Sequence, residues 1–327
     1  VFYWFTEKIM TRVFTFNRKF KITLSIALLF CALIPLIWWQ FISLKPYTLS
    51  QSELQKVYQQ HADFVPTLTL TELTPRQYKI TFTSYDGEYV EGRLELPKKI
   101  VLEDWRVKTM NEVTPIFIGV SAMGRNYLRW WQDSFKGRDT VTQVNDIGAM
   151  ALASNHVLVA IDARLHGTRK KPDMPLSKVM NSMDFWGERS HYEGMVINTV
   201  LDYKHLLNAL EELFGLSDVT LAGYSMGGQV SLLLAATDPR VRSVLSIVPP
   251  NMDNKVARVA PINFVENIKD QKVWLLSANN DGYAGERQNQ LLFKGIQSSN
   301  KHHITFNSGH ILPEGYTEQL SDWFEQK

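Results

Sequence analysis

The chain has 327 residues, enough for one large domain or two small ones, and its 45% hydrophobic and 21% charged composition can bury a core without metal or disulfide staples. A formal net charge of +2 gives no reason to expect nucleic acid as a partner. With Cys31 as the only cysteine, no zinc-like cysteine spacing exists.

Residues 1–21 read as a short basic tail, in which Lys8, Arg12, Arg18, Lys19 and Lys21 face one acid, Glu7. Met10 offers an alternative start that shortens this tail without changing the topology. Residues 22–44, ITLSIALLFCALIPLIWWQFISL, carry no charge. As a helix this run is about 34 Å long, enough for a hydrocarbon core of about 30 Å. Only a helix satisfies its own backbone in lipid, so the expectation is a transmembrane signal-anchor helix, with Pro35 as a kink site and Trp38 and Trp39 as an interfacial belt. The basic flank keeps the N-terminus cytoplasmic and puts everything after about residue 45 on the extracytoplasmic side. A cleaved signal is the alternative, but no small-x-small site follows the apolar core, and Phe30 before Cys31 is a poor lipoprotein context.

Residues 45–76 read as a polar connector, with Ser50 or Ser52 capping a short helix over 53–64. The segments 78–87 and 88–97 alternate in polarity and meet at Asp86-Gly87, which predicts an antiparallel hairpin. After residue 112, short apolar strands near 115–121, 156–162, 219–224, 241–248, 272–278 and 303–308 alternate with helical stretches near 141–153, 193–214, 226–237, 285–298 and 314–326. This predicts an α/β domain over 77–327: a mostly parallel sheet with helices on both faces, extended by the hairpin as an antiparallel edge.

The run 219-VTLAGYSMGG-228 puts Ser225 between a strand and a helix. A sharp turn there lifts the hydroxyl to the top of the sheet, Gly223 and Gly227 remove side chains where strand and helix crowd, and the Met226 N–H is left facing a developing oxyanion. A serine of this kind needs a base, and His310, directly after the last strand, is at the matching end of the sheet. His302 and His303 precede or lie within that strand, His156 begins its own strand at the opposite end, His205 lies in a helical pattern and His61 precedes the sheet. His191, in a long loop, stays as an alternative. Asp281, just past the strand at 272–278, is placed to hold the imidazole; Asp253, one strand earlier, is its rival.

The order serine, aspartate, histidine, each after a different strand, resembles the α/β-hydrolase superfamily over residues 76–327, nearest to its dienelactone-hydrolase-like and acetyl-esterase-like members. The matching residues are Gly223-Tyr224-Ser225-Met226-Gly227, Asp281, Ser308-Gly309-His310, and 162-DARLHGTR-169, which is similar to an Asp-x-Arg-Gly-His-Gly loop in the superfamily. Where many relatives carry His-Gly after the first parallel strand, this chain has Val120-Ser121-Ala122-Met123-Gly124; the resemblance then implies Ala122 N–H as second oxyanion donor, with Ser121 as the neighbouring choice. Arg164 is expected to pair with Asp162, and His166 to support nearby backbone.

The resemblance implies a serine hydrolase that cleaves a small-molecule carboxylic ester through an acyl-enzyme, with no cofactor and no metal, and the apolar run at 22–44 adds the expectation of a membrane anchor. A peptidase or amidase and an acyltransferase share the same triad, and an inactive tethered binding protein is the alternative of another class. The long loop over about 165–192 is expected to shape the pocket through Met180, Met183, Phe185 and Trp186, or to bury these as local core. Arg169, Lys170 and Lys171 read as a solvated basic turn, with attraction of an anionic substrate as the alternative.

Overall fold

The computed structural model describes residues 18–98, 102–103, 106–107, 115–215 and 218–325. Most of the basic tail, Met10 included, therefore lies outside the described residues. The apolar segment forms helix α1 (Arg18–Ile37), continued by one π-helical turn over Trp38–Ile42. Its stretch Ile22–Ile42 is long and apolar enough to cross a membrane, and none of it is buried in the protein. Pro35 sits inside α1 without ending it.

Ser50 begins α2 (Gln51–Gln59) through a capping box: its hydroxyl accepts from the Glu53 N–H while the Glu53 carboxylate accepts from the Ser50 N–H. The helix stops short of the expected 64. The expected polar connector also contains an unanticipated strand, β1 (Thr69–Thr74), paired antiparallel with β2 (Gln77–Thr83). β2 and β3 (Tyr89–Glu95) form the predicted hairpin, whose turn places Gly87 at φ +83°, a conformation that favours glycine.

The parallel part contains β4 (Ile116–Val120), α3 (Val144–Ala153) and β5 (Val157–Ile161), then α4 (Leu176–Trp186) and α5 (Ser190–Phe214). It continues through β6 (Val219–Tyr224), α6 (Met226–Thr237), β7 (Val241–Ile247), β8 (Lys272–Ala278), α7 (Glu286–Gly295), β9 (Lys301–Phe306) and α8 (Ser321–Glu325). The nine strands form one sheet in the order β1-β2-β3-β5-β4-β6-β7-β8-β9, antiparallel up to the β3–β5 pair and parallel beyond it. α4 occupies what the sequence presented as a long loop.

Strand alternation divides the core between the two faces. Ile118, Val159, Leu221 and Leu275 join α2, α5 and α6 on one side. Phe117, Leu158, Tyr224 and Leu276 join α3 and the Tyr316–Trp323 segment on the other. Side chains on both faces explain the nearly unbroken apolar strands. Gly119 marks a tight point of the second face, since a Cβ there would lie 2.3 Å from the Trp130 ring. Gly119→Ala is therefore expected to cost about 2 kcal/mol by overpacking. That corresponds to a melting temperature about 6 °C lower by circular dichroism in detergent.

Candidate active site

The turn between β6 and α6 is a sharp elbow. Ser225 sits at φ 56°, ψ −120°, a conformation that L residues rarely adopt. Its N–H donates to the Ile247 carbonyl at 2.8 Å and its carbonyl accepts from the Gln229 N–H at 3.1 Å. The surrounding glycines permit the bend. A Cβ on Gly223 would lie 2.1 Å from the Gly227 carbonyl oxygen, and one on Gly227 would lie 2.1 Å from the Val120 carbonyl oxygen.

Three loops after β6, β8 and β9 bring Ser225, Asp281 and His310 together. His310 Nε2 is 2.8 Å from Ser225 Oγ, and His310 Nδ1 is 2.9 Å from Asp281 Oδ2. With the buried Asp281 carboxylate accepting from Nδ1–H, the Nε2 lone pair is left to accept the serine proton. The other Asp281 oxygen accepts from the Tyr283 N–H at 2.8 Å, so the carboxylate also shapes its own loop. The two loops are joined directly by Asn279 N–H to Phe306 O at 3.0 Å and Asn280 N–H to Ser308 O at 3.1 Å.

The alternatives weighed in the sequence lie elsewhere. Asp253 caps the turn over Asn254–Val259 by accepting from the Lys255 N–H. His191 is in the first turn of α5. His156 packs edge-on against Phe117 and Phe324, the His302 ring is tilted against Trp274, and His303 Nε2 is 2.8 Å from Ser277 Oγ. His205 Nε2 is 2.7 Å from the His61 carbonyl.

Two tyrosines escaped the sequence reading. The Tyr224 hydroxyl donates to the His310 carbonyl at 2.8 Å and accepts from the Leu312 N–H at 3.0 Å, fastening the His310 loop to the strand that carries Ser225. Burial pushes its pKa up to about 12, so it stays a phenol. The Tyr283 ring meets the His310 ring edge-on at 4.6 Å. The sequence signal was faint: an aromatic residue directly before the serine, pointing to the opposite sheet face, and a tyrosine two residues after Asp281.

Met226 opens α6, and Gly227 presses against the Val120 carbonyl, which puts the segment 120–122 beside the first turn of α6. The N–H groups of Met226 and Ala122 have no acceptor among the described residues. Next to this segment, Asp162 accepts from Tyr127 N–H at 3.0 Å, Asn126 Nδ2 at 3.2 Å and Thr168 N–H at 2.8 Å, bracing the loop after β4 against the loop after β5. Burial pushes the Asp162 carboxyl up.

The expected Arg164–Asp162 pair does not form. Asp162 is taken up by these loop donors, and Arg164 instead meets Asp202 on α5 at 2.7 Å and Asp86 at 2.6 Å. Burial alone would lower the Arg164 pKa, but the bonds and charges of Asp202 and Asp86 outweigh it and hold the guanidinium above its ordinary range. Nor is Arg169 part of a solvated turn: it is buried and pairs with Asp202 at 2.7 Å, while Lys171 is bound to Glu88 and Lys170 is exposed.

The four expected pocket residues separate. Met180 and Met183 pack against the core. Met183 also lines a groove of about 190 Å³ with Trp38, Leu44, Asn251, Met252 and Val256. Phe185 and Trp186 are 59% and 70% exposed and line no part of that groove. Among the described residues no group of three or more His, Cys, Asp or Glu side chains converges as a metal site.

A mostly parallel sheet with helices on both faces, a strand-to-helix elbow at a serine, and an aspartate and histidine on later strand ends together define the α/β-hydrolase fold. A family described as the alpha/beta hydrolase fold matches residues 151–271. Among solved structures, the chain is similar to acetyl xylan esterase 1 from a Thermoanaerobacterium species, with a TM-score of 0.58 and 16% identity, covering 85% of this chain and 98% of the other. An acetyl xylan esterase from a Paenibacillus species gives a TM-score of 0.60 and 12% identity, covering 86% of this chain and 96% of the other. A cold-adapted esterase from an Arctic intertidal metagenomic library gives a TM-score of 0.55 and 14% identity, covering 78% and 96%. No curated protein matches.

His166 carries a pH signature. Its Nδ1 is 2.7 Å from the Arg164 carbonyl, in keeping with the expected backbone support, and its Nε2 is buried without a partner. Burial, helped by the Lys170 and Arg169 charges, lowers its pKa from 6.5 to about 4. Between these values the unfolded chain binds the extra proton, so this contribution is complete above pH 6.5 and is lost as pH falls towards 4. His166→Gln is expected to flatten the stability–pH curve by about 2 kcal/mol between pH 7 and about 4.5, read from urea unfolding at the two pH values.

Proposed function

We propose that this protein is a membrane-anchored serine hydrolase that cleaves carboxylic esters through an acyl-enzyme. The observation that carries the reading is the unbroken chain from Asp281 Oδ2 through His310 to Ser225 Oγ, with links of 2.9 Å and 2.8 Å. A serine hydroxyl is a weak nucleophile until a neighbouring base takes its proton, and both links lie within the range for that transfer.

In the proposed cycle His310 Nε2 takes the Ser225 proton as Oγ attacks the ester carbonyl carbon. Asp281 stabilises the imidazolium and keeps Nδ1 protonated. The Met226 and Ala122 N–H groups receive the oxyanion, aided by the N-terminal end of α6. His310 then gives its proton to the leaving alkoxide. Water enters, loses a proton to His310 and attacks the acyl carbon, which releases the acid and restores Ser225.

Two further lines support the reading. The structural neighbours named above are esterases. The apolar helix Ile22–Ile42 has the length and composition of a span, and its basic flank favours a cytoplasmic N-terminus with the catalytic domain on the extracytoplasmic side. In this reading the outer domain has no cysteine to mispair, since Cys31 falls within the span.

A fluorophosphonate probe should label the full-length protein at Ser225, and Ser225→Ala should abolish that labelling. Absence of labelling in the folded wild-type chain would refute an activated nucleophile. Asp281→Asn should lower kcat on short acyl esters by about 10⁴. Tyr224→Phe removes both bonds to the His310 loop, and the expected result is about a tenfold lower kcat with KM nearly unchanged.

A further inference from the structure

The joint between the apolar helix and the domain is fastened along its length. Trp38 Nε1, within the candidate span Ile22–Ile42, donates to the Phe185 carbonyl at 2.6 Å. Gly187, the left-handed C-cap of α4, lies so close that a Cβ there would be 1.8 Å from the Ile42 carbonyl oxygen. Beyond the span, the Tyr47 N–H donates to the Asn254 carbonyl at 2.9 Å and the Tyr47 hydroxyl to Glu193. The Arg189 guanidinium donates to the carbonyls of Lys45 at 2.9 Å and Lys255 at 2.7 Å, and lies 4.5 Å over the Tyr47 ring. Residues 43–47 are therefore bound down onto the domain.

This fixes a depth. The 21 residues of Ile22–Ile42 make about 32 Å of helix, close to the hydrocarbon thickness of about 30 Å. The last turn of the span then lies at the membrane–water boundary, where tryptophan is favoured. The C-terminal tip of α4 touches that turn, so it lies at the same level. It presents two adjacent large rings outward, Phe185 at 59% and Trp186 at 70% exposure. Exposed Asp184 and Glu188 flank them, which limits any insertion to the depth of the rings.

We propose that Phe185 and Trp186 rest in the headgroup layer of the bilayer that Ile22–Ile42 crosses, so that the catalytic domain is docked on the membrane surface in one orientation. The inference rests on the membrane anchoring proposed above. It gives these rings a lipid partner in place of the substrate role expected from sequence. It also bears on substrate. The first turn of α4 reaches the segment after β4, with Leu176 Cδ1 4.0 Å from the Cβ position of Gly124. An 11-residue helix is about 16 Å long, so α4 alone separates its lipid-facing tip from the segment after β4 by no more than about that distance. Esters that partition into the bilayer are thereby within reach.

The test uses the full chain with Cys31→Ser and one environment-sensitive fluorophore attached through Trp186→Cys, or through Ser299→Cys at the opposite end of the sheet. Phe185→Cys serves as a second reporter should the first variant misfold. Each protein is reconstituted into vesicles of equal parts phosphatidylethanolamine and phosphatidylglycerol, with and without headgroup nitroxide, and floated on a density gradient. The expected result is co-flotation with quenching at position 186 about threefold or more above that at 299. Co-flotation with equal quenching at the two positions overturns the docking and leaves the anchoring intact. Protein that stays at the bottom of the gradient refutes both.

Discussion

The elbow at Ser225 is the constraint on which the site depends. A serine at φ 56° is held there only because its surroundings over-determine it. The Ile247 carbonyl fixes the Ser225 N–H, while Gly223 and Gly227 let β6, α6 and the Val120 carbonyl approach to distances no side chain tolerates. Relaxing the bend would lower the hydroxyl towards the sheet and turn the Met226 N–H away from it. The unusual dihedral thus determines where the oxygen, the first helical N–H and the segment after β4 stand relative to one another.

A second layer of buried charge supports this arrangement from the side. Asp202 on α5 receives both Arg164 and Arg169, and Arg164 extends to Asp86 in the hairpin turn. The hairpin edge, the loop after β5 and α5 are thereby joined. Asp162 carries the connection on to the loop after β4. Such buried ions are held by several partners each, and loss of any one would leave an uncompensated charge. The DARLHGTR segment is thus a brace whose members look away from one another.

Much of the fold was legible because its signals are local. Asp86-Gly87 announced the hairpin, and the nearly unbroken apolar strands announced a sheet covered on both sides. The helix over 226–237 is legible at its observed bounds because its leucines and alanines favour helix, despite two glycines in the first turn. β1 is hard to read because the alternation Leu68-Thr69-Leu70-Thr71 is brief and breaks at Glu72-Leu73; Thr69–Thr74 is an almost wholly exposed edge strand held mainly by backbone pairing. α4 was missed because Pro172, Pro175 and Gly187 frame only 11 residues, which look like loop punctuation. Position along the chain was enough to nominate Ser225, Asp281 and His310, because each follows its own strand at one edge of the sheet. It gave no access to the partners of Arg164, 38 residues away in Asp202 and 78 in Asp86. Nor did it reveal that Phe185 and Trp186 face outward beside Trp38, since that depends on how a distant segment packs.

Tyr224 adds a mechanical property to the geometry. Its peptide leads directly into Ser225, and its hydroxyl carries the loop of His310 through two hydrogen bonds. Ser225 and His310 thus hang from one post. A displacement of that strand carries both, so the 2.8 Å spacing between His310 Nε2 and Ser225 Oγ is held by the shared mounting.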